Sequence, residues 1–159
     1  MKAHPETRIG HVHLKVTDLD RSIAFYRDVI GLEVTQRYGV QAAFLSAGGY
    51  HHHIGLNTWH SLNGPRPDPR APGLYHTAFL YPDRKALAAA FQMALDNGVE
   101  LEGAADHGVS EALYFSDPDG NGIELYRDRD PADWPRNGEG GLVMSNCPLD
   151  LKALLGELA

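Results

Sequence analysis

Residues 106–126 read DHGVSEALYFSDPDGNGIELY, setting a histidine, a tyrosine and a glutamate around one tight turn. Upstream, His11 and His76 each sit in a short stretch with strand character. Two imidazoles and one carboxylate can occupy one face of a coordination octahedron and leave adjacent positions open. Non-haem Fe(II) sites use that arrangement to bind a substrate and dioxygen together. His11, His76 and Glu124 are therefore candidate metal ligands. Singly, none compels this reading. A lone strand histidine is more often a surface or hydrogen-bonded residue, and Glu124, between Ile123 and Leu125, also fits an outward charge on an amphipathic strand. The two histidines stand out because their position is repeated.

Strands and turns must hold these groups. Asp117, Pro118, Asp119, Gly120 and Asn121 combine a fixed proline φ, side-chain bonding to the backbone and glycine permissiveness, which predicts a hairpin turn. The turn lays Leu113–Phe115 beside Ile123–Tyr126 and brings Tyr114 towards Glu124. Ile9–Val16 alternates Val12, Leu14 and Val16 against His11, His13 and Lys15, the two-residue period of a strand with one apolar face. Asp20 is placed to cap a helix through Ile23, Tyr26 and Ile30, with Gly31 as its stop and a strand over Leu32–Arg37 beyond. The second half repeats the order: a strand over Leu74–Tyr81 carrying His76, a helix capped by Asp83 through Leu87, Phe91 and Leu95, and Gly98 as its stop. His11 to His76 and Asp18 to Asp83 are each 65 positions apart, while the glycine stops differ by 67. Two related βαβββ modules explain those offsets. The long period favours a duplicated domain over an extending solenoid.

The resulting organisation is an arm over 1–8, a first module over 9–61, a connection over 62–73, a second module over 74–127 and an extension over 128–159. The connection contains Pro65, Pro67, Pro69 and Pro72, which exclude a helix or central strand and predict a stiff surface link. Weak helical character returns over Leu149–Leu158, which reads as a lid or packing appendage. The 159 residues suffice for a substantial core without disulfide staples. A net charge of -7 lacks the basic surface that nucleic-acid binding needs, and no apolar run suits a bilayer. A polar start and a single cysteine, Cys147, predict a cytoplasmic protein.

The quoted stretches, together with GHVHLKVTDLDRSIAFYRDVIGLEV near the start, YHHHIGLNTW at Tyr50–Trp59 and LYH at Leu74–His76, resemble the vicinal oxygen chelate superfamily. Within that group of glyoxalases, bleomycin resistance proteins and dioxygenases, they are most similar to extradiol ring-cleaving enzymes of the catechol 2,3-dioxygenase type. The resemblance covers approximately Ile9–Arg127 and implies an α+β fold, with two paired βαβββ modules forming a cup-shaped, partly closed mixed β-sheet. It also implies that His11, His76 and Glu124 hold Fe(II), with Mn(II) or another divalent ion as the alternative. The family's acid/base and oxygen-handling histidine corresponds to His52, with His51 and His53 as neighbouring registers. HGVS carries a second histidine onto His107, and Tyr114 corresponds to a substrate-facing tyrosine. The implied partners are a small aromatic substrate, O2 and a second copy of the chain in a homodimer.

Two relatives on the same fold compete with this expectation. A glyoxalase-like isomerase uses a fourth protein ligand, commonly glutamate, on the last strand of the first module, where this chain has Ile54, Gly55, Leu56 and Asn57. Gly55 has no side chain to ligate, which favours oxygen chemistry. An antibiotic-binding resistance protein would use the cup without metal chemistry, and the full triad argues against it. Many extradiol enzymes have four modules and this sequence has two, yet two supply all three proposed ligands. Phe44, Tyr50, Trp59 and Tyr126 are candidates for an aromatic pocket, with membership of the core as the other reading.

Overall fold

Alternation of buried Leu14 and Val16 with His13 and Lys15 sets the first strand, β1 (Val12–Lys15). A computed structural model describes residues 2–159 and divides the chain into two compact units, Met1–Arg66 and Pro67–Ala159. The strand is shorter than the expected Ile9–Val16. Its ladder starts where the Val12 N–H donates to the His53 carbonyl at 2.9 Å, so His11 stands just ahead of it.

Helix α1 (Leu19–Asp28) follows, and its cap corrects the sequence reading. Asp18, not Asp20, has extended backbone and accepts the Arg21 N–H at 3.0 Å. Asp20 lies in the first turn and pairs with Arg37. Leu19, Ser22, Ile23 and Tyr26 recur at helical spacing and form the buried face. Beyond the helix run β2 (Glu33–Tyr38), β3 (Ala42–Ser46) and β4 (Ile54–Asn57). The sheet order is β1-β4-β3-β2, parallel between β1 and β4 and antiparallel elsewhere. β4 is buried along its length and β2 is an exposed edge. The His51–His53 run precedes β4 and belongs to the loop ahead of it.

The second unit repeats the pattern with β5 (His76–Leu80), α2 (Arg84–Asp96), β6 (Gly103–Asp106), β7 (Ser110–Ser116) and β8 (Gly122–Asp128). Asp83 caps α2 by accepting the Ala86 N–H at 2.7 Å. At the other end Gly98, at φ +74, lets Gly98 N–H reach the Leu95 carbonyl and Val99 N–H the Ala94 carbonyl. Those paired bonds form a Schellman stop, and the left-handed backbone favours glycine there. The sheet order is β5-β8-β7-β6-β9, where β9 (Cys147–Pro148) adds an outer strand beside β6.

The expected terminal helix is α3 (Leu151–Leu155), followed by a 3₁₀ turn over Gly156–Leu158. It packs on α2 through the fully buried Leu154. Arg84 reinforces that contact, bonding the Ala153 carbonyl at 3.3 Å and Glu157 at 2.5 Å. Its guanidinium also reaches the buried Glu111 at 3.0 Å, which Arg127 and Arg129 approach at 2.9 and 3.4 Å. The fold is thus α+β, with each βαβββ module forming a mixed sheet in the order that the sequence repeat predicts. No helix among the described residues is long and apolar enough to cross a membrane.

Candidate active site

In the second unit the hairpin turn fixes the register on which everything else depends. Asp117 Oδ1 accepts the N–H groups of Asp119 and Asn121 at 2.9 and 2.8 Å, and its Oδ2 accepts the Asn121 side-chain amide at 2.8 Å. Tyr114 is thereby set opposite Glu124, and its hydroxyl donates to Glu124 Oε1 at 3.1 Å. On the other side β5 runs parallel to β8, pairing His76 with Gly122 two residues before Glu124. A Cβ at Gly122 would lie 2.1 Å from the Tyr75 carbonyl, so only glycine permits this approach. His76 Nε2 then stands 2.9 Å from Glu124 Oε2.

The line continues past Tyr114. Its hydroxyl is 2.9 Å from His107 Nε2, and His107 Nδ1 is 2.9 Å from the Ser145 carbonyl. Glu124, Tyr114, His107 and Ser145 therefore form one hydrogen-bonded chain, and His76 meets its Glu124 end through the 2.9 Å nitrogen–oxygen contact. Burial, and then the Glu124 carboxylate, push the Tyr114 phenol up to about 12, which keeps it protonated near neutral pH.

The donor types and their spacing suit a divalent ion. Two donors on neighbouring octahedral vertices, each about 2.1 Å from the metal, stand about 3 Å apart, close to the 2.9 Å between His76 Nε2 and Glu124 Oε2. His76 Nδ1 is buried without a hydrogen bond, so polar contacts hold the ring only by its Nε2 end. Within neither unit do three His, Cys, Asp or Glu side chains gather as a metal-holding group among the described residues.

In the first unit the ring neighbours of His52 include His11 and Phe44, and among the described residues no carboxylate is bonded to it. His11 and His52 have ring centroids 4.4 Å apart, and Phe44 lies 5.0 Å from His52. His51 Nδ1 is 2.7 Å from His52 Nδ1. A bulge in β2 frees Thr35, whose hydroxyl reaches the His51 carbonyl at 2.8 Å and pins the loop. His53 is committed elsewhere: its N–H donates to the Leu45 carbonyl and its Nδ1 lies 2.8 Å from the Ser46 hydroxyl. Burial, and then the charge neighbouring imidazoles would carry, lower the proton affinity of His52. His13 covers Gly55, where an added Cβ would sit 2.9 Å from the His13 ring.

Thus His11 and His52 meet in the first unit, and His76, Glu124, Tyr114 and His107 are linked in the second. Sequence reasoning missed three contributors: Ser145, Thr35 and the covering role of His13. Ser145 acts through a backbone carbonyl 38 residues from its partner, which no side-chain pattern reveals. His13 had a signal, since it alternates with His11 on the same strand face.

The Glyoxalase/Bleomycin resistance protein/Dioxygenase superfamily profile matches residues 8–125. The chain is 43% identical over 154 residues to a catechol-2,3-dioxygenase of Bacillus subtilis strain 168, covering 97% of this chain and 53% of that protein. It is 33% identical over 121 residues to biphenyl-2,3-diol 1,2-dioxygenase 3 of Rhodococcus globerulus, covering 76% and 63% respectively. The chain spans between about half and two thirds of these curated relatives. Among solved structures, lactoylglutathione lyase from Agrobacterium tumefaciens superposes with a TM-score of 0.60 at 26% identity, covering 78% of this chain and 96% of that one. With the profile matched over most of its length and the duplicated fold beneath it, the chain belongs to the Glyoxalase/Bleomycin resistance protein/Dioxygenase superfamily.

Proposed function

We propose that this chain is a metal-dependent extradiol ring-cleaving dioxygenase, or the part of one that bears the site, acting on a catechol-type aromatic with O2. The observation carrying the proposal is the line of contacts from His76 through Glu124 and Tyr114 to His107, hydrogen-bonded from Glu124 onward. It joins two candidate metal donors to two groups able to hold a substrate oxygen. Similarity to two ring-cleaving dioxygenases supports the same reading. His11, His76 and Glu124 would hold the ion, Fe(II) first and Mn(II) or another divalent metal second. Such an ion supplies a common anchor and a path for electrons between the aromatic diol and O2. The reading requires His11 of a first module to meet His76 and Glu124 of a second, in one chain or across a homodimer, in a cytoplasmic setting.

The remaining work falls to the chain's own side chains. Tyr114 stays protonated and donates one hydrogen bond, which orients a substrate oxygen beside Glu124. Its single proton serves either Glu124 Oε1 or His107 Nε2, so occupancy of one acceptor releases the other. His52, with lowered proton affinity, begins neutral at pH 7 and can accept a substrate hydroxyl proton before returning it. Phe44 beside His52 offers an apolar surface for an aromatic ring. The isomerase alternative lacks its fourth carboxylate, since Gly55 lies beneath the His13 ring.

Anaerobic loading with Fe(II), followed by measurement of oxygen uptake and ring-cleaved product across a catechol panel, tests the proposal. Stoichiometric oxygen consumption and product are expected. Full iron occupancy with no product from any catechol rejects it, and turnover of the methylglyoxal–glutathione adduct would instead establish the isomerase.

A further inference from the structure

We propose that residues 143–149 set the tautomer of His107, making Ser145 a positioning residue. The inference deepens the dioxygenase reading and rests on it for its catalytic consequence. The segment is tied down at several points. Ser145 N–H donates to the His107 carbonyl at 2.9 Å, and the Ser145 hydroxyl donates to the Asp106 carbonyl at 3.2 Å. Cys147 and Pro148 pair antiparallel with Asp106 and Ala105. Val143 N–H donates to the Pro135 carbonyl at 2.9 Å. At Gly108 an added Cβ would lie 3.0 Å from Pro135 and 3.2 Å from the Ser145 hydroxyl, so the segment closes directly over that residue. Beneath it, Arg129 bonds Asp106 at 2.6 Å and its N–H reaches the Val109 carbonyl at 2.8 Å.

This anchoring has a chemical result at His107. A backbone carbonyl only accepts, so the 2.9 Å contact between Ser145 O and His107 Nδ1 places the ring proton on Nδ1. In the neutral ring Nε2 is then a bare lone pair, 2.9 Å from the Tyr114 hydroxyl. Tyr114 consequently has an acceptor on each side, Nε2 and Glu124 Oε1. With the opposite tautomer, Nε2–H would donate to Tyr114 and commit its hydroxyl proton to Glu124. Segment 143–149 thereby decides whether Tyr114 can exchange one acceptor for another.

Ring-nitrogen NMR of the full 15N-labelled chain tests this, with His107 assigned by loss of its signals in His107→Gln. The expected wild-type pattern is a protonated Nδ1 and an unprotonated Nε2. Ser145→Pro removes the N–H bond to His107, and should move the ring towards the Nε2–H form and lower kcat about 10-fold with KM unchanged. Ser145→Ala keeps both backbone bonds and should retain the wild-type tautomer. A wild-type His107 protonated on Nε2 overturns the assignment, as does a folded Ser145→Pro protein that keeps Nδ1–H. If Ser145→Pro does not fold, the wild-type and Ser145→Ala spectra decide. The nitrogen shifts need no turnover, so the expected tautomer in a protein that cleaves no catechol rejects the dioxygenase reading while supporting the assignment.

Discussion

In the first module His13, Gly55, Phe44 and Gln36 lie side by side across β1, β4, β3 and β2. In the second, Ala78, Glu124, Tyr114 and Gly103 occupy the same places across β5, β8, β7 and β6. The large side chain sits on the outer parallel strand in one row and on its neighbour in the other. His13 covers a glycine, whereas Glu124 stands beside an alanine. Duplication thus preserved the ladder and exchanged its contents, leaving a carboxylate-centred chain in one module and an imidazole and aromatic cluster in the other. The surroundings differ too. Glu111 and its arginines support the second sheet, while Gln41 holds the matching place just ahead of β3.

Giving the second row the contents of the first tests that contrast most severely. Glu124→Gly, copying Gly55, should release the metal and reduce ring cleavage by more than about 100-fold, beyond the usual effect of an outer partner. Metal content and oxygen uptake measure this, and retained iron with normal turnover would remove Glu124 from the site. Tyr114→Phe, copying Phe44, should retain metal and lower kcat about 10- to 100-fold, because the link to His107 is lost. An equal fall in metal content would show that Tyr114 serves only to support Glu124.

Stability should divide along the same line. Glu111→Ala leaves three arginines around a buried vacancy and should cost about 3–5 kcal/mol in a urea titration. A loss below about 1 kcal/mol would place this network with surface ion pairs. Gly55→Ala should cost about 1–3 kcal/mol by crowding the His13 ring. His13→Ala in the same chain should recover most of that loss, and additive effects would refute the exchange of volumes.

The smallest contrast concerns Tyr81, which stands where the first module has Val16; their N–H groups donate to Tyr126 and Asn57 carbonyls, both at 2.8 Å. Burial raises the Tyr81 phenol to about 12. Because the folded value exceeds the unfolded one of about 10, its contribution to stability is complete below pH 10 or so and is lost as pH rises through about 12. Alkaline unfolding followed with Tyr81→Phe should lack that component, and identical profiles would contradict the shift.

Much of this architecture was legible because both modules use explicit local signals. The 65-residue offset between Asp18 and Asp83 joins the two helix caps, although the sequence pattern alone points to Asp20 for the first. Propensity barely separates two aspartates two positions apart; the choice falls to the one with extended backbone whose carboxylate reaches Arg21 N–H. The hairpin was readable because Asp117 and Gly120 satisfy their turn locally. The limits of β1 and the position of His51–His53 were less readable, because ladder pairing, not composition, ended those strands.

By itself the sequence determined the duplicated βαβββ order, the capped helices, the hairpin and the ligand-type residues, since periodicity, caps and turn chemistry act over a few residues. Only the tertiary structure decided that Gly55 lies under His13, that Glu111 gathers three arginines and that Ser145 reaches His107. Those contacts join distant parts of the chain through sheet register and backbone carbonyls. A carbonyl is common to every residue, so its selection as a partner has no signature in side-chain spacing.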